Sequence, residues 1–107
     1  MPRLLKKTGL KLSDMDSVEM HEAFGAQILA NLRAWEQGWK EVAIGTLDRS
    51  KLNPLGSSIA VGHPFAATGG RIVTTLANEM KRRNARYGLI SICAAGGMAA
   101  AMILERS

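Results

Sequence analysis

Cysteine is nearly absent from this chain of 107 residues: Cys93 is the only one. A lone thiol excludes an internal disulfide framework and fits the cysteine usage of a reducing compartment. Aromatic residues are also scarce, with two Phe, two Trp and one Tyr. No stacking pair is interleaved with the basic residues, so a single-stranded nucleic-acid platform is not expected. No run of about eighteen apolar residues is available to span a bilayer, and Met1 to Lys7 lacks the apolar core of a secretory leader. The sequence therefore predicts a soluble intracellular protein without a membrane span. Metal is not expected either, because two His and one Cys spread over the chain, without paired cysteines or an HExxH pattern, make a poor ligand set.

What is present is enough for one packed domain over residues 1–107. Hydrophobic residues make up 47% and charged residues 21%, which excludes disorder driven by charge and low hydropathy. A chain of this size buries about two-thirds of its unfolded surface. Fourteen Lys and Arg against nine acids leave a net charge of +5, which could attract the phosphates of nucleic acid or of a nucleotide-bearing cofactor. The cations nevertheless gather where a plain reading accounts for them. Lys6 and Lys7 lie near the start, and Lys81, Arg82, Arg83 and Arg86 close a helix, where positive charge suits the dipole.

Along the chain, Pro2 to Gly9 reads as a short helix stopped by Gly9. A turn at Ser13–Asp16 leads to the apolar run Val18-Glu19-Met20. Phe24, Ile28, Leu32 and Trp35 then line one face of a helix. Residues 37–52 lose periodicity and read as a surface loop, and Asn53 to Ser58 is turn chemistry before a short strand at Ile59-Ala60-Val61. Gly62-His63-Pro64 breaks that strand. Ile72, Val73, Leu76 and Met80 predict a helix through Arg83. The run from Tyr87 to Cys93 suits a strand buried on both faces, and Gly96-Gly97 suits a tight hairpin into a last strand at residues 99–104. Strands and helices in alternation predict an α/β layered sheet.

His21, His63 and Cys93 each fall at the end of an expected strand, where α/β sheets collect reactive groups. With all three strands parallel, the side chains would converge. A Cys beside a His makes a thiolate near neutral pH, because an imidazolium stabilises the sulfur anion. Taken singly, each has a plainer role: buried cysteine is usually a small hydrophobe and a lone histidine a satisfied hydrogen bonder. The glycine-rich stretch Gly62 to Gly70 fits neither the dinucleotide fingerprint nor the P-loop. Small residues at Cys93-Ala94-Ala95-Gly96 would let backbone N–H groups approach a ligand and form an oxyanion hole, or simply turn a hairpin.

Three motifs occur in order: His21-Glu22-Ala23-Phe24, Gly62-His63-Pro64 and Cys93-Ala94-Ala95-Gly96-Gly97. Together they resemble the C-terminal part of the thiolases, closest to the 3-ketoacyl-CoA thiolase subunit of the fatty-acid β-oxidation complex. Most other thiolases carry Asn where His21 stands. The resemblance implies a partial thiolase-like C-terminal half-domain, with coenzyme A as co-substrate and no covalently bound cofactor. It also implies partners among acyl-CoA and other thiolase chains, as an N-terminal half or a homo-oligomer. The location it implies is cytoplasmic in a bacterium, or mitochondrial in a eukaryote. His63 resembles the histidine that activates a nucleophilic cysteine and helps bind the thioester enolate, and His21 the residue completing that oxyanion hole. Cys93 resembles the second cysteine, which exchanges a proton with the α carbon. The Ala95 N–H, followed by Gly96 and Gly97, resembles a donor to the acyl oxyanion.

The nucleophilic cysteine belongs, in this family, to an N-terminal half that the 107 residues do not resemble, and the first strand of the C-terminal half is not matched either. The sequence thus predicts a fragment without turnover of its own, with apolar faces left exposed. Its rival is a non-enzymatic truncated product that associates with other thiolase chains. Ser57 and Ala99 stand where the family has glycine, and a positive φ at either would cost on the order of 1 kcal/mol.

Overall fold

A computed structural model of the chain describes all 107 residues. Seven regular elements follow in order: α1 (Pro2–Thr8), β1 (Ser17–Met20), α2 (Gly25–Gln37), α3 (Ser58–Val61), α4 (Thr68–Arg83), β2 (Tyr87–Ala94) and β3 (Met98–Glu105). The three strands form one sheet in the order β1-β2-β3. β1 runs parallel to β2 and β2 antiparallel to β3. The crossover from β1 to β2 carries the helices, as a parallel pair requires.

Side-chain alternation divides the core into two layers. Val18 pairs with Leu89 on one face, and both join Leu5, Met20, Ile28 and Trp35 in the cluster under α1 and α2. Glu19 pairs with Ile90 on the other face, where Ile72, Leu76 and Met80 of α4 pack. The apolar spacing read from α4 is the spacing it buries. Gly88 gives α4 its close approach to β2: a Cβ there would lie 2.5 Å from Met80 Sδ and 2.9 Å from Leu76 Cγ.

Several expectations hold. Gly9 stops α1 in the left-handed region at φ 72°. The hairpin between β2 and β3 turns through Ala95–Gly97, with Gly96 at φ 77° and Gly97 at φ 72°. Ser57 has a φ of −139° and Ala99 sits in register opposite Cys93, and neither has a positive φ. Neither serine nor alanine is strained there.

Others are corrected. Ile59-Ala60-Val61 is not a strand but most of α3, a single helical turn, with Ile59 and Val61 exposed. The Ala60 and Val61 N–H groups donate to Ser57 C=O and the Gly62 N–H to Ser58 C=O. These local bonds win because no neighbouring strand offers a ladder. Phe24 lies just outside α2 at φ −148° and is exposed, so the buried face is Ile28 and Trp35 with Leu32 half-buried. β2 is buried only through Gly88, Leu89 and Ile90; Ser91, Ile92 and Cys93 are half-buried. The loop of residues 38–57 is less superficial than its polarity predicts, because Leu47 enters the core and Leu52 bridges to Val18.

No helix is long and apolar enough to cross a membrane. The outer strand β3 leaves Met98 and Met102 exposed.

Candidate active site

The site forms where β1 ends and the α3–α4 link returns to it. His21, the residue after β1, donates its N–H to Ser91 C=O on β2 at 2.9 Å, which extends the parallel ladder by one residue. Asn53 fixes the preceding residue: its Oδ1 accepts from Met20 N–H at 2.7 Å, and its Nδ2 donates to Met20 C=O at 3.1 Å. Ser57 Oγ donates to the same carbonyl at 3.0 Å. Glu22 ties the turn together, accepting from Asn53 Nδ2 at 2.9 Å and from Ile59 N–H at 3.0 Å. The His-Glu dipeptide therefore places one residue in the site and uses the other to brace it.

His63 arrives from the other side. Gly62, at φ 92° and ψ 175°, adopts a backbone conformation that side chains disfavour and turns the chain out of α3. The His63 ring then packs on His21, with centroids 4.1 Å apart and planes at 42°. Phe65 covers the other side of His63 at 5.2 Å. His63 Nδ1 lies 2.6 Å from Thr68 Oγ1. The Thr68 hydroxyl donates to Pro64 C=O at 3.2 Å. A Thr68 hydroxyl that donates to Pro64 C=O can accept from His63 Nδ1–H, the tautomer in which Nε2 is the acceptor nitrogen.

The two imidazoles differ in setting. His21 is 3% exposed, whereas His63 is exposed. Burial holds the His21 imidazolium below its ordinary range; the nearby His63 and Arg71 act in the same direction and Glu22 opposes them. Burial thus favours the neutral form of His21. Beneath it, Glu19 on β1 is fully buried, with neither carboxyl oxygen hydrogen-bonded. Burial pushes its carboxyl up to about 7, with Arg71 opposing and Glu22 and Glu79 adding.

Cys93 lies at the same end of the sheet, two residues beyond the Ser91 that faces Met20. Its thiol is half-buried and contacts Gln27 Oε1 at 3.9 Å. It borders a cavity of about 230 Å³ with Gln27, Asn31 and Trp35 of α2. No hydrogen bond joins the thiol to either imidazole. Ala95 and Gly96 follow in the exposed hairpin turn.

Of the three singled-out side chains, His21 and His63 are in contact, and Cys93 occupies the adjacent strand end. The expected route differs: His63 follows a helical turn, not a strand. Ser58, Thr68 and Arg71, which hold the two histidines, carried no signal of their own, since serine, threonine and a helix arginine are common everywhere.

The model of the thiolase C-terminal domain matches residues 1–106. The chain belongs to the thiolase family. It is 52% identical to a 3-ketoacyl-CoA thiolase of Shewanella amazonensis over 97% of its own length and 26% of that protein's. With a 3-ketoacyl-CoA thiolase of Pectobacterium carotovorum it shares 50% identity, over 97% of this chain and 25% of that protein. Among solved structures, human mitochondrial 3-ketoacyl-CoA thiolase superposes with a TM-score of 0.83 at 42% identity, over 96% of this chain and 24% of that one. An acetyl-CoA acetyltransferase of Bacillus anthracis gives 0.82 at 39% identity, over 94% and 23%. This thiolase chain therefore spans about a quarter of the length of the relatives it matches, and its fold is that of the family's C-terminal half-domain.

Proposed function

We propose that the chain supplies one side of a 3-ketoacyl-CoA thiolase active site, for thiolytic cleavage of a 3-ketoacyl-CoA by coenzyme A in fatty-acid β-oxidation. The observation that carries this reading is the contact between the buried His21 and the exposed His63 at one strand end. His63, with a bare Nε2, is the base that takes the proton of an attacking thiol and later faces the enolate oxygen. His21 is the second group on that oxygen. Cys93 is the acid–base partner for the α carbon, and the N–H groups of Ala95 and Gly96 face the acyl oxyanion.

Acyl transfer by this route needs a covalent thioester on one thiol and proton transfer to carbon by another. The chain has a single cysteine, so it performs at most one of these jobs. The full site then requires a second thiolase segment carrying the nucleophile, and the exposed apolar side chains of β3 are consistent with a surface that such a segment covers. A soluble cytoplasmic setting follows from the same reading. The rival reading, a non-enzymatic product that only associates with other thiolase chains, draws on the quarter-length match.

The experiment incubates the purified chain with a 3-ketoacyl-CoA and coenzyme A, alone and then with a separately expressed N-terminal thiolase segment, and follows the ketoacyl enolate absorbance. No turnover alone and turnover in the mixture support the proposal. Multiple turnovers by the chain alone that vanish in Cys93→Ala would make Cys93 a nucleophile and overturn it. Association without turnover in the mixture would favour the non-enzymatic rival.

A further inference from the structure

The His21 ring is held by side chains to which the thiolase reading gives no role. Arg71 Nη2, on the first turn of α4, donates to Ser58 Oγ at 3.1 Å and to Ser57 Oγ at 3.3 Å. Ser58 Oγ in turn lies 2.6 Å from His21 Nδ1. Ser58 is buried, so its single hydroxyl proton and its lone pairs have to be satisfied by these neighbours. The Arg71 guanidinium is only ever a donor, so it occupies a Ser58 lone pair. The hydroxyl proton then needs an acceptor, and His21 Nδ1 is the one within reach. Nδ1 must accept, and a neutral imidazole that accepts at Nδ1 carries its proton on Nε2. In the opposite tautomer Ser58 would receive two donors while its own proton had nowhere to go. His21 Nε2 has no protein partner and is not among the sealed polar atoms, so it is free to meet a ligand.

We propose that Ser58 and Arg71 are positioning residues that fix His21 as the Nε2–H tautomer, so that the site presents one imidazole N–H donor beside one imidazole base. The two rings are set oppositely by their Nδ1 partners: Ser58, held by Arg71, donates to His21, whereas Thr68, committed to Pro64, accepts from His63. Such a pair suits an oxygen that gains negative charge while a neighbouring group gives up a proton, the chemistry of a thioester passing to its enolate. That last step rests on the proposed thiolase function; the tautomer does not.

The test is a long-range proton–nitrogen NMR correlation on the chain labelled with ¹⁵N at its two histidines, near neutral pH and with no substrate. His21 Nδ1 should resonate as an unprotonated, acceptor nitrogen and Nε2 as an N–H. In Ser58→Ala both resonances should move toward the average of two exchanging tautomers, and Ser58→Thr, which keeps the hydroxyl, should restore them. Arg71→Met frees the Ser58 lone pair and should also mix the tautomers. A His21 that carries its proton on Nδ1 in the unaltered chain would overturn the proposal, as would Ser58→Ala and Arg71→Met spectra that match it. If the variants fail to fold, the spectrum of the unaltered chain alone decides. Because no turnover is read, a missing thiolase activity leaves this result standing, and a wrong tautomer leaves the thiolysis assay standing.

Discussion

Replacing Glu19 by glutamine should stabilise the protein, and the gain should appear only at high pH. Glu19 is sealed between β1 and α4 with no hydrogen bond to either carboxyl oxygen. Its folded-state value of about 7 stands well above the ordinary 4.5, so between these values the folded chain holds a proton that the unfolded chain has released. Stability contributed by the neutral carboxyl is therefore intact below about pH 4.5 and is lost as pH rises through 7. At about 1.4 kcal/mol per pH unit, the ionised side chain costs on the order of 3 kcal/mol. His21 works in the other sense. Its lowered folded-state value means that stability rises as pH climbs toward the ordinary imidazole range, so the unaltered profile mixes two opposed slopes. Glu79, held at about 2 chiefly by its hydrogen bonds to Arg82, stays ionised throughout the useful window and adds no slope there. The clean measurement is the difference between the two proteins in urea unfolding at about pH 5 and about pH 8.5, in which His21 cancels. The glutamine variant should stay within about 1 kcal/mol of the parent at the lower pH and exceed it by about 3 kcal/mol at the higher. A difference that does not change with pH would show that Glu19 is ionised in the fold, and would refute the argument from burial.

Gly88→Ala should lower stability by about 1–3 kcal/mol, because the new Cβ meets Leu76 near its branch point as well as the flexible end of Met80; a urea midpoint equal to the parent's would mean that α4 can retreat freely. Asn53→Ala should cost about 2–4 kcal/mol in the same measurement, since it removes the side-chain acceptor of Met20 N–H, one of two donors to Met20 C=O and one donor to Glu22 inside the site. It should also loosen His21, read as broadened or shifted ring resonances, and a sharp unshifted His21 would show that the β2 ladder alone holds that residue.

Periodicity was a sound guide where one element packs against one surface. The Ile72, Leu76 and Met80 spacing of α4 is legible because a single stripe faces the sheet, and the two glycines of the hairpin are legible because a short turn needs positive φ. The same rules misread Ile59 and Val61. β-branched residues suit a strand only when a neighbour supplies a ladder, and here Ser57 and Ser58 carbonyls are nearer than any strand. Spacing assigns Phe24 to a buried helical face, but the residue precedes the helix, where spacing no longer dictates direction. In the site, His21 and His63 could be found from strand-end and turn chemistry together with the family motifs. Ser58 and Arg71 could not, because their value depends on meeting across 37 residues of chain in one case and 13 in the other.

That distinction explains why so short a thiolase chain holds so much of a site. His21 is fixed by backbone on β2 and by Asn53, Ser57 and Ser58, and His63 by Gly62 and Thr68, all within a crossover that starts and ends in the same small sheet. The contact between the two imidazoles is made wholly by residues of this chain. The thiol is different. Cys93 faces α2 and a cavity beside it, with no bond to either ring, so its chemistry depends on what enters from beyond this surface. On the proposed function, the paired imidazoles are contributed by this local fold, and the covalent step needs a thiol from a second segment.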